Sequence, residues 1–401
     1  MSKVNGINMT ERRKVAVVRG KNLNEFEMQA YEPLMKWFDL TAFAGLRQLH
    51  RSNNLSIPVR RLFSPGDAIG LLPGRLRAYA DAALGRMFGF DDSMWGMQRA
   101  LAGFDIVHSS DVHNMYSMQA GLAARRNGAR FVVTQWENIP FVRDDHPVYR
   151  RVKSRTLALA DKIVAVTERA RQALLLEGVP RERIVVIPSG IDTRRFTPQP
   201  KNRAWLRALG LPDDAFYILY VGKMIYSKGV HNLIGAVARL IADPDLVNVP
   251  VRLLLVGDGP GRRRLAGLAS RLGISSSVRI LGSIDYASMP LVYGAADIFV
   301  LPSLPVRSWQ EQFGVVLVEA MASGRPIIST LSGSIPDVVG DAGVLVQPGD
   351  HWSLYQGMKM LVLDESARQR LGRAARRRAE AMFDARIVSD QMRQLYDDLL
   401  S

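Results

Sequence analysis

Along this chain, short runs of apolar and β-branched residues alternate with longer stretches whose apolar positions recur at helical spacing. In the first half, the runs at residues 15–18, 105–108, 131–134, 163–166 and 184–187 predict strands, and the patterns over 116–127 and 168–177 predict helices. An extended link is expected across 192–203, where Thr197-Pro198-Gln199-Pro200 disfavours regular structure. Beyond it the alternation restarts, with strands predicted at 217–221, 251–256, 278–281, 298–301 and 326–329. The helices between them are predicted at 229–242, 262–272, 289–295 and 314–322, and everything from His351 onward reads as charged helix. Such alternation marks parallel α/β architecture. At 401 residues the chain is also too long for a single hydrophobic core. Two Rossmann-like α/β domains are expected, over 1–195 and 196–380, with a final helix over 381–401 that is free to pack back on the first. The stretch from Arg60 to Gln98 mixes Leu71, Leu72, Leu76, Leu84, Met87, Phe88, Phe90, Met94 and Trp95 with arginines. It fits helices packed on the sheet, or a basic amphipathic element on a membrane.

Composition narrows the class. Hydrophobic residues make up 47% and charged residues 23%, which is ordinary globular usage. No run approaches the ~20 apolar residues of a membrane-spanning helix, and the polar first residues do not resemble a secretory signal. The absence of cysteine excludes disulfides, thiolate metal sites and cysteine nucleophiles, and fits a cytoplasmic protein. The net charge of +15 is uneven: residues 1–195 hold 30 Lys/Arg against 19 Asp/Glu, and the remainder 23 against 19. A basic first half suits anionic lipid headgroups, a phosphorylated substrate, or simply solvated basic faces. Nucleic acid is not an expected partner, because no module interleaves basic with aromatic residues.

The candidate chemistry lies mostly in the second half. Glu311-Gln312-Phe313-Gly314-Val315-Val316 leads to Glu319, eight positions after Glu311. That spacing is about two helical turns, so both carboxylates are expected on nearly the same side, with Glu311 at or just before the helix start. Unsatisfied N–H groups of the first turn make a site for a diphosphate, and Glu319 is placed to accept from a ribose hydroxyl pair. Taken alone, the pair also fits, less well, an amphipathic helix with two surface glutamates. Lys223 follows Gly222 at a strand end and Lys228 opens the next helix, so two ammonium groups on one loop can converge on a diphosphate. Gly257-Asp258-Gly259-Pro260-Gly261 and Gly282-Ser283-Ile284 also follow strands, at the edge where open sheets bind ligands. The first is only a fragment of a dinucleotide fingerprint. Asp243-Pro244-Asp245 follows a helix instead, away from that edge, and reads as incidental; no metal site is expected.

Taken in order, these segments resemble the retaining glycosyltransferase family four, with its B-type fold of two Rossmann-like domains facing across a cleft. The likeness runs through Ile187-Pro188-Ser189-Gly190-Ile191-Asp192, the Lys223/Lys228 loop and Val256-Gly257-Asp258-Gly259-Pro260. It continues through Ala296-Asp297-Ile298-Phe299-Val300-Leu301-Pro302-Ser303, the Glu311…Glu319 stretch and the segment from Gly333 to Gly349. It is dense over 160–350 and loose over the first 150 residues. The resemblance implies that Lys223 and Lys228 neutralise the donor diphosphate, and that Gln312, Phe313 and the amides of Gly314, Val315 and Val316 line it. It further implies that Glu311 holds the transferred sugar, Glu319 the ribose, and the main chain near Ile284 the base, with Gly222 and Gly257 at the strand ends. Lys223 stands where the family commonly has arginine. Arg19-Gly20-Lys21-Asn22 replaces a frequent glycine pair, and Ser110 occupies the place of a frequent histidine. His108 and His113 are the candidates to substitute for it, though each reads more readily as a structural or loop histidine. Trp136-Glu137-Asn138 is a candidate source of a polar group for the acceptor.

The implied reaction moves a sugar from a nucleoside diphosphate sugar to a hydroxyl acceptor, which is a sugar, a lipid-linked or a phosphorylated compound, with anomeric retention and no cofactor. Cell-envelope, polysaccharide or glycolipid synthesis at the cytoplasmic membrane face is the expected setting. Two other classes compete: a sugar-nucleotide epimerase of the same fold, and a non-enzymatic basic protein binding nucleic acid or membrane. A phosphorylase of this fold would be far longer.

Overall fold

The computed structural model describes residues 12–46, 48, 49, 54–70, 72–74, 76, 79 and 92–401. Part of the ambiguous stretch between Arg60 and Gln98, including Leu71, Leu84, Met87, Phe88 and Phe90, lies outside the described residues. Within it, Met94 is buried, whereas Leu76 and Trp95 are exposed. By internal contacts the described chain forms two compact units. One falls within Met1–Gln135, Asp144–Val164 and Ser389–Ser401, the other within Trp136–Arg143 and Ala165–Val388. Among the described residues no helix is long and apolar enough to cross a membrane.

The first sheet comprises β1 (Lys14–Gly20), β2 (Asp39–Gly45), β3 (Val59–Leu62), β4 (Ile106–Ser110), β5 (Arg130–Gln135), β6 (Lys162–Ala165) and β7 (Ile184–Val186), in the order 3-2-1-4-5-6-7. Pairing is parallel where β1 meets β2 and β4, with Val17 between Ala42 and His108. Two strands of this sheet escape the sequence pattern. β2 is built from Leu40-Thr41-Ala42-Phe43-Ala44, too poor in β-branched residues to read as a strand, and it is buried because β1 and β3 pair with it. β3 is a charged edge strand, Val59-Arg60-Arg61-Leu62, whose arginines blunt an exposed edge. The helix α1 (Met115–Asn127) follows β4, and α2 (Pro147–Leu159), which sequence periodicity did not predict, precedes β6.

The second sheet comprises β8 (Phe216–Val221), β9 (Val251–Val256), β10 (Val278–Gly282), β11 (Ile298–Leu301), β12 (Ile327–Thr330) and β13 (Gly343–Val346), in the order 10-9-8-11-12-13, all parallel. β8 and β11 are buried along their whole length, as strands covered on both faces must be. α3 (Val230–Ile241) follows β8, and α4 (Val315–Ala322) follows β11. Each starts one residue later than the sequence pattern predicts, because Gly229 and Gly314 cap them in left-handed conformation. α4 ends in a Schellman turn: the Gly324 N–H donates to Met321 and that of Arg325 to Ala320, both at 2.9 Å. The chain finishes in α5 (His351–Leu363), α6 (Glu365–Met382) and α7 (Ala385–Leu400).

The carboxyl ends of β1, β4 and β5 enclose a buried polar network. Arg19, only 2% exposed, donates to the Tyr31 hydroxyl at 2.7 Å and to the carbonyls of Val18 and His108. His108 lies with Nδ1 2.6 Å from the Tyr396 hydroxyl and Nε2 2.7 Å from that of Thr134. Burial, helped by the Arg19 charge, holds its imidazole well below the usual range, so the ring is neutral. One nitrogen then donates and the other accepts, which satisfies both. Tyr396→Phe removes one of those partners from a fully buried ring. It should cost about 1–3 kcal/mol in a urea titration. A variant as stable as the parent would show that His108 does not need that bond.

Candidate functional site

The side chains of interest collect at the carboxyl ends of β8, β9, β11 and β12, the edge where a parallel sheet leaves its loops free to hold a ligand. Lys228 closes a single turn after β8, and Gly229 follows with φ +66°. A Cβ at Gly229 would stand 1.9 Å from the Pro302 carbonyl oxygen, so only glycine lets this loop lie against the one after β11. The Leu304 N–H donates to the Ser227 carbonyl at 2.7 Å and ties the two loops. The Lys228 ammonium consequently reaches both carboxylate oxygens of Glu311, at 2.7 and 3.0 Å, and Ser303 Oγ donates to the same carboxylate at 2.6 Å. Trp309 covers the ammonium, its ring centre 4.6 Å away. A tight hairpin sets that ring, with Val306 and Trp309 exchanging backbone hydrogen bonds of 2.8 and 3.1 Å.

The main chain of Glu311 is held as firmly as its side chain. Its carbonyl accepts from Asn138 Nδ2 and from the Ser334 N–H, each at 2.8 Å. Asn138 Nδ2 also donates to Ser334 Oγ, which meets Thr167 Oγ1 at 2.9 Å. Gln312 Nε2 donates to Glu137 at 3.0 Å, and Phe313 packs edge-on against Trp136. The stretch Trp136-Glu137-Asn138, a candidate source of a polar group for the acceptor, makes these contacts to the Glu311 loop.

Glu311 lies ahead of the helix that carries Glu319, as expected, so the two helical turns assumed between them are not continuous. Left-handed Gly314 starts α4 at Val315, and Glu311 precedes it in a buried loop. Glu319 lies inside the helix, 3% exposed, with the Tyr286 hydroxyl on one carboxylate oxygen at 2.8 Å and that of Tyr293 on the other at 2.6 Å. Burial pushes its carboxyl up to about 7, against the opposing pull of the Tyr293 and Tyr286 hydrogen bonds and the Arg195 charge. Ile284, half-buried against the core, stands two residues before Tyr286. Among the described residues no side chain caps the amino end of α4, so the amides of Gly314, Val315 and Val316 have no side-chain acceptor among them.

Lys223 does not join Lys228 on a shared partner. It is exposed, its own carbonyl accepts from the Tyr220 hydroxyl at 2.8 Å, and its ammonium has no partner among the described residues. Burial, reinforced by the Glu311 charge, pushes the Tyr220 phenol above its usual range. Gly222 and Gly257 serve loop packing: a Cβ at Gly257 would meet the Gly222 oxygen at 2.0 Å, and the Gly257 N–H donates to Gly282 at 2.7 Å. Asp243 and Asp245 share Lys359, at 2.8 and 2.6 Å, and Asp243 also accepts from Tyr355. Among the described residues no group of three or more His, Asp or Glu is placed to hold a metal. His108, enclosed in its network, shows no face to a substrate. His113, on the turn between β4 and α1, is nearly buried.

Comparison with known proteins fits this geometry. Residues 201–378 match the family described as Glycosyl transferases group 1, and residues 59–195 match Glycosyltransferase Family 4. A D-inositol 3-phosphate glycosyltransferase of Catenulispora acidiphila is 32% identical over 341 residues, covering 80% of this chain and 78% of that protein. The enzyme of the same name from Geodermatophilus obscurus is 32% identical over 302 residues, covering 71% of this chain but 64% of its own length. Anabaena HepE in complex with UDP aligns with a TM-score of 0.74 at 19% identity, over 96% of this chain and all of that one. Sucrose-phosphate synthase of Thermosynechococcus elongatus aligns at 0.70 and 22% identity, over 97% and 99% of the two chains. The two parallel-sheet domains thus have the B-type glycosyltransferase fold. The chain belongs to glycosyltransferase family four.

Several contributors to the site were not assigned from the sequence, among them Trp309 and Ser334. Ser303 and Asn138 stand in segments already singled out, but nothing in their spacing reveals that both bind Glu311. Tyr286 and Tyr293 carry a fainter signal, since two tyrosines seven apart fall on one helical face. Glu319 yields a pH prediction. A carboxyl raised from 4.5 to about 7 by folding contributes stability that is complete below about pH 4.5 and lost as pH rises through 7. Glu319→Gln, neutral at every pH, should match the parent near pH 4.5 and exceed it at pH 8 by on the order of 2–3 kcal/mol in chemical denaturation. A difference independent of pH would mean that the carboxyl titrates normally.

Proposed function

We propose that this protein transfers a sugar from a nucleoside diphosphate sugar to a hydroxyl of a phosphorylated or lipid-linked acceptor, with retention at the anomeric carbon and without a metal ion. The observation that carries the reading is the Lys228–Glu311 pair beside the uncapped amino end of α4. As the bond from anomeric carbon to diphosphate lengthens, negative charge grows on the departing oxygen. Lys228, the α4 amides and the exposed Lys223 are the positive groups at that edge, and they stabilise the late charge more than the early one. This supply of fixed positive charge is what makes a metal dispensable in the proposal. The only Asp-x-Asp match is already engaged with Lys359. Glu311, once a diphosphate competes for Lys228, has a carboxylate to offer the hydroxyls of the transferred sugar. Glu319 retains acceptor capacity for a ribose beyond its two tyrosine bonds.

The acceptor class is supported by the relatives named for inositol 3-phosphate and by the basic first half of the chain. UDP-sugars are the first donors to try, because HepE binds UDP. The setting that accompanies this reading is envelope or glycolipid synthesis at the cytoplasmic face of a membrane.

Three measurements decide it. A panel of nucleoside diphosphates and their sugars in thermal melting should raise the midpoint for one base, since a ligand of the native state alone stabilises it. No shift with any of them would overturn the donor. Glu311→Gln should fold and lose at least about 100-fold in turnover, whereas Lys228→Ala should lose roughly 100- to 1,000-fold in kcat together with donor affinity. Glu311→Ala is the poorer test, because stranding the Lys228 ammonium should cost roughly 3 kcal/mol of stability. Turnover should persist in excess EDTA; loss that magnesium restores would remove the metal-independent mechanism.

A further inference from the structure

The first unit carries an arginine-lined groove on the face opposite its ligand edge. It is a groove of about 200 Å³ between α1 and α2, lined by half-buried Leu122 and Leu159 and by exposed Ala158, Arg125, Arg126 and Arg155. Neither helix contains an acidic residue. Arg151 stands one helical turn before Arg155 on the same exposed stripe of α2 and extends the charge along it. Arg126 donates to the neutral Gln98 side chain at 2.8 Å, and Arg125, Arg151 and Arg155 have no acceptor among the described residues. The acidic groups nearby along the chain are engaged elsewhere: Asp144 holds Lys153 at 2.6 Å, and Asp161 accepts from the Phe131 N–H at 2.7 Å.

Helix-dipole compensation explains part of this. Arg125 and Arg126 end α1, where cations are favoured. It does not explain Arg151, mid-helix in α2, or the absence of any acid from both helices. Location excludes a substrate role. α1 runs into β5 through a turn at Gly128, so its last residues lie at the amino edge of the sheet, opposite the loops that carry His113.

We infer that this groove docks the protein on an anionic phospholipid bilayer, the guanidinium groups pairing with headgroup phosphates beside the half-buried leucines. Guanidinium forks match phosphodiester oxygens, and the apolar lining suits the glycerol and upper acyl region of a lipid. Single-stranded nucleic acid fits less well, because no aromatic ring lines the groove to stack a base. The inference does not depend on the sugar-transfer reading.

The test uses the full chain with vesicles of phosphatidylcholine, alone or mixed equally with phosphatidylglycerol, read by co-sedimentation. Binding is expected only to the anionic vesicles, and it should fall as salt rises from 0.1 to 0.5 M in keeping with the shorter screening length (about 10 Å shrinking toward 4 Å). The triple variant Arg125→Glu, Arg151→Glu, Arg155→Glu should lose at least about 20-fold in partitioning, since each basic residue near such a surface contributes roughly fivefold. The triple lysine variant should retain most of it. An unchanged melting midpoint and an unchanged circular-dichroism spectrum in both variants certify the fold. Binding of the glutamate variant equal to the parent, or parent binding to neutral vesicles, overturns the inference. So does tighter binding to nucleic acid than to anionic vesicles at the same salt.

Discussion

A lysine ammonium and a carboxylate that have both left most of their water must satisfy each other almost completely, and the Lys228–Glu311 pair is built under that demand. Their side chains retain only 17% and 7% of their exposure. Removing charges from water costs several kcal/mol per ion, which mutual attraction offsets only when geometry is good and the remaining lone pairs are bonded. Two-pronged contact with Lys228 and the Ser303 hydroxyl meet that condition on the side chain, while Asn138 and Ser334 fix the main chain. Gly229 is obligatory because the loop bearing Lys228 must touch the Pro302 carbonyl. The pair therefore organises the loops after β8, β11 and β12 around one point. In the proposed reaction a diphosphate offers Lys228 the same charge that Glu311 offers it now, so binding exchanges one anion for another rather than creating a new site.

The two glutamates of the motif show how environment divides one residue type into two roles. Glu311 faces a cation. Glu319 faces two phenols, and its burial is only partly relieved by their hydrogen bonds, so its carboxyl is lifted to about 7. One carboxylate is paired directly with a cation and the other is not. The same contrast separates the basic groups. Lys228 is enclosed and paired, Lys223 is exposed, and the arginines of the α1–α2 groove stand at the amino edge of the first sheet.

Local pattern was sufficient for most strands and helices, because a parallel strand covered on both faces must be a continuous apolar run. β8, β9 and β11 were legible for that reason. β2 was not, since Ala and Thr become strand only when β1 and β3 pair with them, and β3 was not, since an edge strand is free to carry arginine. Resemblance identified the family and its donor-binding segments. It did not disclose that Asn138, far back in the chain, anchors the Glu311 loop, because that bond joins residues 173 positions apart.

What the sequence determined by itself was the alternation of elements, the ligand-bearing edge, the family, and the residues from which a site is drawn. All of these follow from local periodicity or ordered motifs, which linear spacing preserves. Only the tertiary structure decided that Lys228 rather than Lys223 meets Glu311, that Asn138 and Ser334 hold the Glu311 main chain in a buried loop, and that His108 is locked away behind Tyr396. Those outcomes depend on glycine-permitted close approaches and on burial, and neither quantity exists until distant segments have packed.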